Sequence, residues 1–328
     1  MLVNEAMKAY AAWRTSAGFA TRTVHNDGTV LRRFVQVNGN LPIKKIGAAH
    51  VDAHIADLAA VGNGSGTINL HHAHLASFFR WCRQRKLMPI DSDPIAGRRY
   101  QKQPVKVHPR VPMAQFGVLL DLCHNPRDRM LVACGLYLLA RGGEVVNIRV
   151  KDVDLDSSEI LVHVRKTKQY DRMPISAELR SELARWLPIY SKAVGGLKPE
   201  MHLVPAQHIV GSGEWVLEPY RAILSPEKIV QRALARIGIS GERLGFHTLR
   251  RSSARALHDE MVALGYDGAL RRVSAWLHHS STAMSEKYLG IDIDKAQRDK
   301  EAKDQPMFPS LASPNVIPIG EHRADQAM

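Results

Sequence analysis

Apolar residues recur at helical spacing through the first third of the chain. Ala6, Tyr10 and Trp13 mark one segment. Val24, Val30, Leu31, Phe34 and Val35 mark a second, with Thr21 placed to cap it and Gly28 weakening its middle. A third segment covers 48–61 and stops at Gly62-Asn63-Gly64-Ser65-Gly66. A fourth begins near Thr67, carries Leu70, Leu75, Phe78, Phe79 and Trp81, and closes in Arg80, Arg83, Arg85 and Lys86 before Pro89. The periodicity then breaks. Pro94, Pro104, Pro109 and Pro112 alternate with Arg98, Arg99, Lys102, Lys106 and Arg110, a density of proline that predicts an extended basic strap.

Beyond Pro112 the pattern predicts two strongly apolar helices, over 113–123 and 128–139, running into Ala140-Arg141-Gly142-Gly143-Glu144. Ile160, Val162 and Val164 alternate as a strand, 166–172 reads as a polar hairpin tip, and Met173-Pro174-Ile175 returns. Ser176 caps a helix carrying Leu179, Leu183 and Trp186. Residues 192–220 are irregular and Gly-rich and carry no assignable element. Ser225-Pro226-Glu227 opens a helix through Val230, Leu234 and Ile237, ended by Gly238. A polar helix is expected over 291–302, and a flexible tail beyond Pro306. The fold class is therefore mainly α with a small antiparallel β-sheet.

Charge changes the picture. The chain of 328 residues carries a formal charge of +13, and residues 1–107 alone hold 15 basic against 6 acidic residues. A basic helical unit suits a polyanion, because each neutralised phosphate releases counterions. A solvated basic face is the plainer reading. No apolar run approaches the ~20 residues of a spanning helix, and no signal peptide opens the chain. Three cysteines, Cys82, Cys123 and Cys134, sit in apolar surroundings at no metal-ligand spacing. They imply buried thiols and a reducing cytoplasm, with no membrane partner. His71, His72 and His74 look like a metal cluster, but neighbours on a helix point in different directions, so no metal site is expected.

The densest chemistry lies in 245–288. His247 and Arg250 stand three apart, on one face of any helix beginning there. His279 follows, and Tyr288 nine residues later. Two imidazoles, a guanidinium and a phenol can hold a phosphate and attack it without a metal. Arg141, after an apolar helix, needs a carboxylate, a carbonyl or a ligand anion. Glu144 is its local partner, so a structural ion pair and an anion clamp both remain open.

Arg141 in its Ala-Arg-Gly-Gly-Glu context, a hairpin lysine, His-x-Leu-Arg, and His followed nine later by Tyr occur in one order. That ordered set resembles the tyrosine recombinase (phage integrase) family over about 108–290, and the first helical unit resembles that family's core-binding domain. The resemblance implies a two-domain architecture: a helical DNA-binding domain over 1–95, a basic Pro-rich linker over 96–111, an α+β catalytic domain over 112–290, and a C-terminal helix and tail over 291–328. It implies Arg141 and Arg250 as phosphate clamps, with His247, His279 and the nucleophile Tyr288. Glu144 supports, and Lys166, or else Lys168, is the acid. Arg80, Arg83, Arg85, Lys86, Arg98, Arg99 and Lys102 are the expected DNA contacts. Three departures stand out: His278 where the family usually has glycine, Arg251 where it often has histidine, and a longer interval between Arg250 and His279.

The implied reaction is attack by Tyr288 on a DNA phosphodiester to give a 3′-phosphotyrosyl link, with no cofactor, metal or ATP. The implied partners are double-stranded DNA at attachment or core-type sites and three further copies in a tetramer on two duplexes. A free monomer and accessory directionality or DNA-bending factors complete the expectation. A phage or prophage integrase is the leading reading. An Xer-like or mobile-element recombinase, a type IB topoisomerase and a non-catalytic DNA-binding protein are the alternatives.

Overall fold

The computed structural model describes residues 1–103, 108–164, 169–211, 213–241, 244–279 and 281–291. The chain divides into two compact units, Met1–Lys106 and Val107–Met328.

The first unit is helical: α1 (Val3–Ser16), α2 (Thr21–Asn38), α3 (Ala48–Ala60) and α4 (Ser65–Gln84). Each turns an apolar stripe inward, so Val3, Tyr10, Leu31, Phe34, Leu75, Phe78 and Phe79 share one core. Tyr10, Phe78 and Trp81 pack ring against ring, with centroids 5.3 to 6.4 Å apart. Two boundaries differ from expectation. Ala20, not Thr21, occupies the N-cap of α2, and its side chain offers no capping bond. Helix α4 starts at Ser65 with Gly64 as its N-cap, because a glycine followed by serine can open a helix as well as end one.

A buried polar network runs through this unit. Arg14 donates to the Tyr10 hydroxyl and to Ser77 Oγ, both at 2.8 Å, and lies 3.3 Å from Asp27. Asp27 also faces His74 Nδ1 at 2.6 Å. The three neighbouring histidines of α4 go separate ways. His71 bonds His54 at 2.9 Å, His74 meets Asp27, and His72 sits edge-on to Tyr100. Among the described residues, no group of three or more His, Cys, Asp or Glu converges to hold a metal.

The second unit holds α5 (Phe116–Asp121), α6 (Pro126–Tyr137), α7 (Gly142–Val145), β1 (Val153–Asp154), β2 (Glu159–Val164), β3 (Gln169–Pro174), α8 (Ala177–Val194), β4 (Pro205–Ile209), β5 (Trp215–Ala222), α9 (Pro226–Arg236), α10 (Phe246–Ala263), α11 (Ala269–Trp276) and α12 (Thr282–Leu289). Helix α6 is its centre. Met130, Leu131, Val132, Ala133, Cys134 and Leu136 are all buried, as befits a helix that is apolar all round. Asn125 caps it and Pro126 opens it. All three thiols are free and buried, and burial pushes Cys123 up to about 11 and Cys82 and Cys134 up to about 12.

Strands β1-β2-β3 form an antiparallel sheet in which Ile160, Val162 and Val164 face inward. Gln169–Arg172 belong to β3, in register with 161–164, so the hairpin connection is shorter than the sequence pattern suggested. A second sheet, β4-β5, occupies the stretch read as irregular. Its strands bury little on either face, so no alternation announces them. The helix expected over 113–123 is a 3-10 turn followed by the short α5. No helix among the described residues is long and apolar enough to cross a membrane.

Candidate active site

Helix α10 brings two of the singled-out residues together. Its first backbone amide, Phe246 N–H, donates to Glu227 Oε2 at 2.5 Å, so a carboxylate from α9 meets the positive end of the helix. A Cβ on Gly245 would lie 2.0 Å from that oxygen, which is why the entry residue has no side chain. Three residues apart, His247 opens to solvent while Arg250 is only 1% exposed.

Arg250 is the hub. Its Nη2 donates to the Leu277 carbonyl at 2.6 Å, and its Nη1 lies 3.9 Å from Glu144 Oε2. Among the described residues that Nη1 finds no hydrogen bond of good geometry, and neither does the buried hydroxyl of Tyr288, although the phenol and the Arg250 guanidinium stand close enough to act on each other. Glu144 joins the two arginines. Its Oε1 accepts from Arg141 Nη1 at 2.9 Å, and its Oε2 accepts from the Arg141 backbone amide at 2.8 Å and faces Arg250. Of the two readings left open by the sequence, the ion pair is present: Arg141 is paired with Glu144, and the same carboxylate faces the guanidinium of Arg250.

Gly142 lets this happen. A Cβ there would sit 3.0 to 3.3 Å from the Phe246 ring, so the glycine allows α7 and its arginine to lie directly on α10.

Tyr288 comes from α12, whose N-cap Ser281 accepts from Met284 N–H. The His279 ring stands edge-on to the phenol, with centroids 5.2 Å apart and planes at 84°. His279 Nδ1 meets Ser285 Oγ at 2.8 Å, which fixes the imidazole. The Arg251 guanidinium lies over the Tyr288 ring, 5.2 Å from its centroid. Arg110 and Arg255 both donate to the Leu289 carbonyl at the end of α12, at 3.4 and 3.2 Å. Burial pushes the Tyr288 phenol above its ordinary pKa, and the charges of Arg250, Arg251 and Arg141 pull it back. Burial, followed by the Arg250 charge, holds His247 below the usual histidine range, with Glu227 opposing. That ring still reaches solvent, so its loss of hydration is partial.

His278 adopts the left-handed conformation, φ +50°, that glycine tolerates and other residues enter at a cost of roughly 1–2 kcal/mol. Its Nδ1 lies 3.5 Å from Asp171 of β3. Next to Glu144, a polar cavity of about 360 Å³ is lined by Asn147, Arg149, Lys151, His163 and Tyr170.

Arg141, Glu144, His247, Arg250, His279 and Tyr288 are thus brought to one place. Lys166 and Lys168 lie outside the described residues, as do Lys106 and the helix expected beyond Ile291. Of the expected DNA contacts, Arg83 pairs with Asp93 at 2.5 Å and Arg98 pairs with Asp52. Arg80, Arg85, Lys86, Arg99 and Lys102 are exposed. Sequence reasoning missed Ser285 and Asp171, whose meaning depends on a partner distant along the chain.

The phage integrase family model matches residues 111–293, and the model for the phage integrase N-terminal SAM-like domain matches 7–88. Tyrosine recombinase XerC of Escherichia coli O157:H7 (strain EC4115 / EHEC) is 26% identical over 160 residues, 48% of this chain and 53% of that protein. The chain's match thus spans about half the length of the curated relatives. Lambda integrase, in a dimer bound to a COC′ core site, superposes with a TM-score of 0.68 at 16% identity, covering 88% of this chain and 95% of that one. In a tetramer bound to a Holliday junction the TM-score is 0.66 at 16% identity, over 88% and 77%. The Tn1549 transposon integrase, in complex with a circular intermediate DNA, gives 0.63 at 14%, over 90% and 99%. At such identities these likenesses bear on the fold, a helical N-terminal domain followed by a mixed catalytic one. The family rests on the sequence models, and by them this chain belongs to the phage integrase family of tyrosine recombinases.

Proposed function

We propose that this protein is a site-specific DNA recombinase that cuts and rejoins DNA through Tyr288. The observation that carries the reading is the buried Arg250 guanidinium, tied to Arg141 by Glu144 and standing beside the Tyr288 phenol, on which it acts. Two planar donor forks suit the non-bridging oxygens of a phosphodiester, where charge builds as the fifth bond forms. Tyr288 Oη attacks the phosphorus and the O–P bond forms. The phenolic proton passes to a base, for which the neutral His247 is the candidate. The P–O5′ bond breaks, and the departing 5′-oxygen takes a proton from the hairpin lysine, Lys166 or Lys168. A 5′-hydroxyl from a partner strand reverses the same steps, so no ATP is consumed.

Double-stranded DNA is the substrate, gripped by the basic first unit, with Arg80, Arg85, Lys86, Arg99 and Lys102 free to meet phosphates. A tetramer on two duplexes is the working assembly, by likeness to lambda integrase on a Holliday junction. Within the family, a phage or prophage integrase is our reading. An Xer-like recombinase is the second, favoured by the sequence match to XerC.

The test is a nicked suicide duplex, from which the cut strand escapes and leaves the protein attached. Wild-type protein should form a covalent adduct stable to denaturation, and Tyr288→Phe should form none. An adduct persisting in the Phe variant would rule out Tyr288 as the nucleophile.

A further inference from the structure

Helix α10 sends two consecutive arginines to the nucleophile. Neighbouring positions on a helix lie about 100° apart, so Arg250 and Arg251 reach Tyr288 from different directions. The Arg250 guanidinium turns inward, to the Leu277 carbonyl and to Glu144. Arg251 is half-buried and lies over the phenol ring, 5.2 Å from its centroid. The His279 ring stands edge-on to the same phenol.

The two arginines differ in what else claims their charge. Arg250 and Arg141 share the Glu144 carboxylate, which offsets one of their two charges. A bound phosphodiester would take up what remains. Among the described residues, the titratable groups acting on Arg251 are Tyr288 and Arg110, with no carboxylate between them. The Arg251 charge therefore stays with the phenol when the clamp is filled. Arg250 and Arg141 are the other charges acting on that phenol, and Glu286 and Lys287 precede it on its own helix.

A cation over a neutral phenol is held by the negative face of the ring. Once the phenol loses its proton, the oxygen shares its negative charge with the ring, and the attraction grows. Burial strengthens it further, because little water screens the pair. Burial as a whole holds the phenol above its ordinary range, and Arg251 works against that penalty.

We propose that Arg251 is a third arginine of the reaction, acting through the Tyr288 ring to stabilise its phenolate. That role rests on the tyrosine recombinase chemistry proposed above and serves both halves of it. In cleavage, the phenol gives its proton to the base as the O–P bond forms. In rejoining, the 5′-hydroxyl gives up its proton and its oxygen bonds phosphorus. The O–P bond to Tyr288 then breaks, and its electron pair returns to the tyrosine oxygen as phenolate.

Charge and packing separate in the variants. Arg251→Met and Arg251→Gln keep much of the stem and lose the charge, whereas Arg251→Lys keeps the charge. The side chain is half-buried, so melting temperatures should change little. Single-turnover cleavage of the nicked suicide duplex would be followed at saturating protein. Both neutral variants should be roughly tenfold slow at about pH 7, the size of a desolvated cation–π contact, narrowing to about threefold near pH 9.5 as more phenol ionises. The lysine variant should stay within a few-fold of wild type. In the DNA-free protein, 3-fluorotyrosine in place of Tyr288 alone would be titrated by fluorine NMR, and its midpoint should rise in both neutral variants. A deficit of the same size at every pH, or a fluorine midpoint that does not rise, would overturn the inference. If wild-type protein formed no adduct at any pH, the proposed function itself would fall, and this inference with it.

Discussion

Two buried arginines, one in each unit, are handled in opposite ways. Arg14 is closed on every side: the Tyr10 hydroxyl, Ser77 and Asp27 meet its guanidinium, and the Phe19 ring lies 4.1 Å from its centre. Asp27 is in turn matched by His74. Arg250 is more deeply buried, yet among the described residues it has one carbonyl, a carboxylate at 3.9 Å, the Tyr288 phenol beside it, and an Nη1 with no hydrogen bond of good geometry. A buried cation with unspent donors costs stability unless something arrives to use them. The difference teaches where to look for function. Arg14 completes a fold, whereas Arg250 keeps a donor with no hydrogen bond among the described residues.

The sharpest way to break this comparison is to remove the closed cation. Arg14→Met leaves Asp27 buried with only His74 opposite, and should cost about 3–5 kcal/mol in denaturant unfolding. A loss under about 1 kcal/mol would mean the network is not structural. Arg250→Lys tests the other side. A point charge cannot span two phosphate oxygens, so cleavage of the suicide duplex should slow by roughly a hundred- to a thousandfold, with melting little changed. A rate within a few-fold of wild type would remove Arg250 from the clamp.

Acid probes a second polar pair of the first unit, His54 and His71, more gently. Burial, then the neighbouring His71, lowers His54 to about 4 from 6.5. A histidine with a depressed folded pKa contributes full stability above its unfolded value and loses it as pH falls through the window down to the folded one. Unfolding free energy should therefore decline between pH 6.5 and about 4, and His54→Gln should flatten part of that slope. His71 and His72, lowered by burial too, account for some of the remainder. An unchanged slope in the variant would exonerate His54.

Periodicity suffices for α2 and α6, because each buries a continuous face or nearly all of its surface, whereas it sets no bounds for α10, whose buried residues lie in its first half. Strand β2 is legible for the same reason, with Ile160, Val162 and Val164 turned inward. Sheet β4-β5 is not: Trp215 and Ile209 lie opposite each other and both are exposed, so no alternation of burial marks it. At the site, Arg141, Glu144, His247, Arg250, His279 and Tyr288 are visible as an ordered set. What they touch is not. Leu277 serves Arg250 through its carbonyl, which every residue possesses. Ser285 matters only because α12 folds it against His279, and Asp171 only because a turn a hundred residues away reaches it. Gly142 is readable as a glycine, but its reason is the Phe246 ring it lies against.

Helix α12 is joined to the rest of the site through a small core. The helix buries only Ser285 and Leu289, and Leu289 belongs to a five-residue core of its own with Leu139, Ala254, Val273 and Leu277. Its last carbonyl is held by Arg110 and Arg255. Tyr288 packs against that same small cluster, and Leu277, whose carbonyl holds Arg250, is one of its members, so one apolar cluster sets the places of both the phenol and the guanidinium.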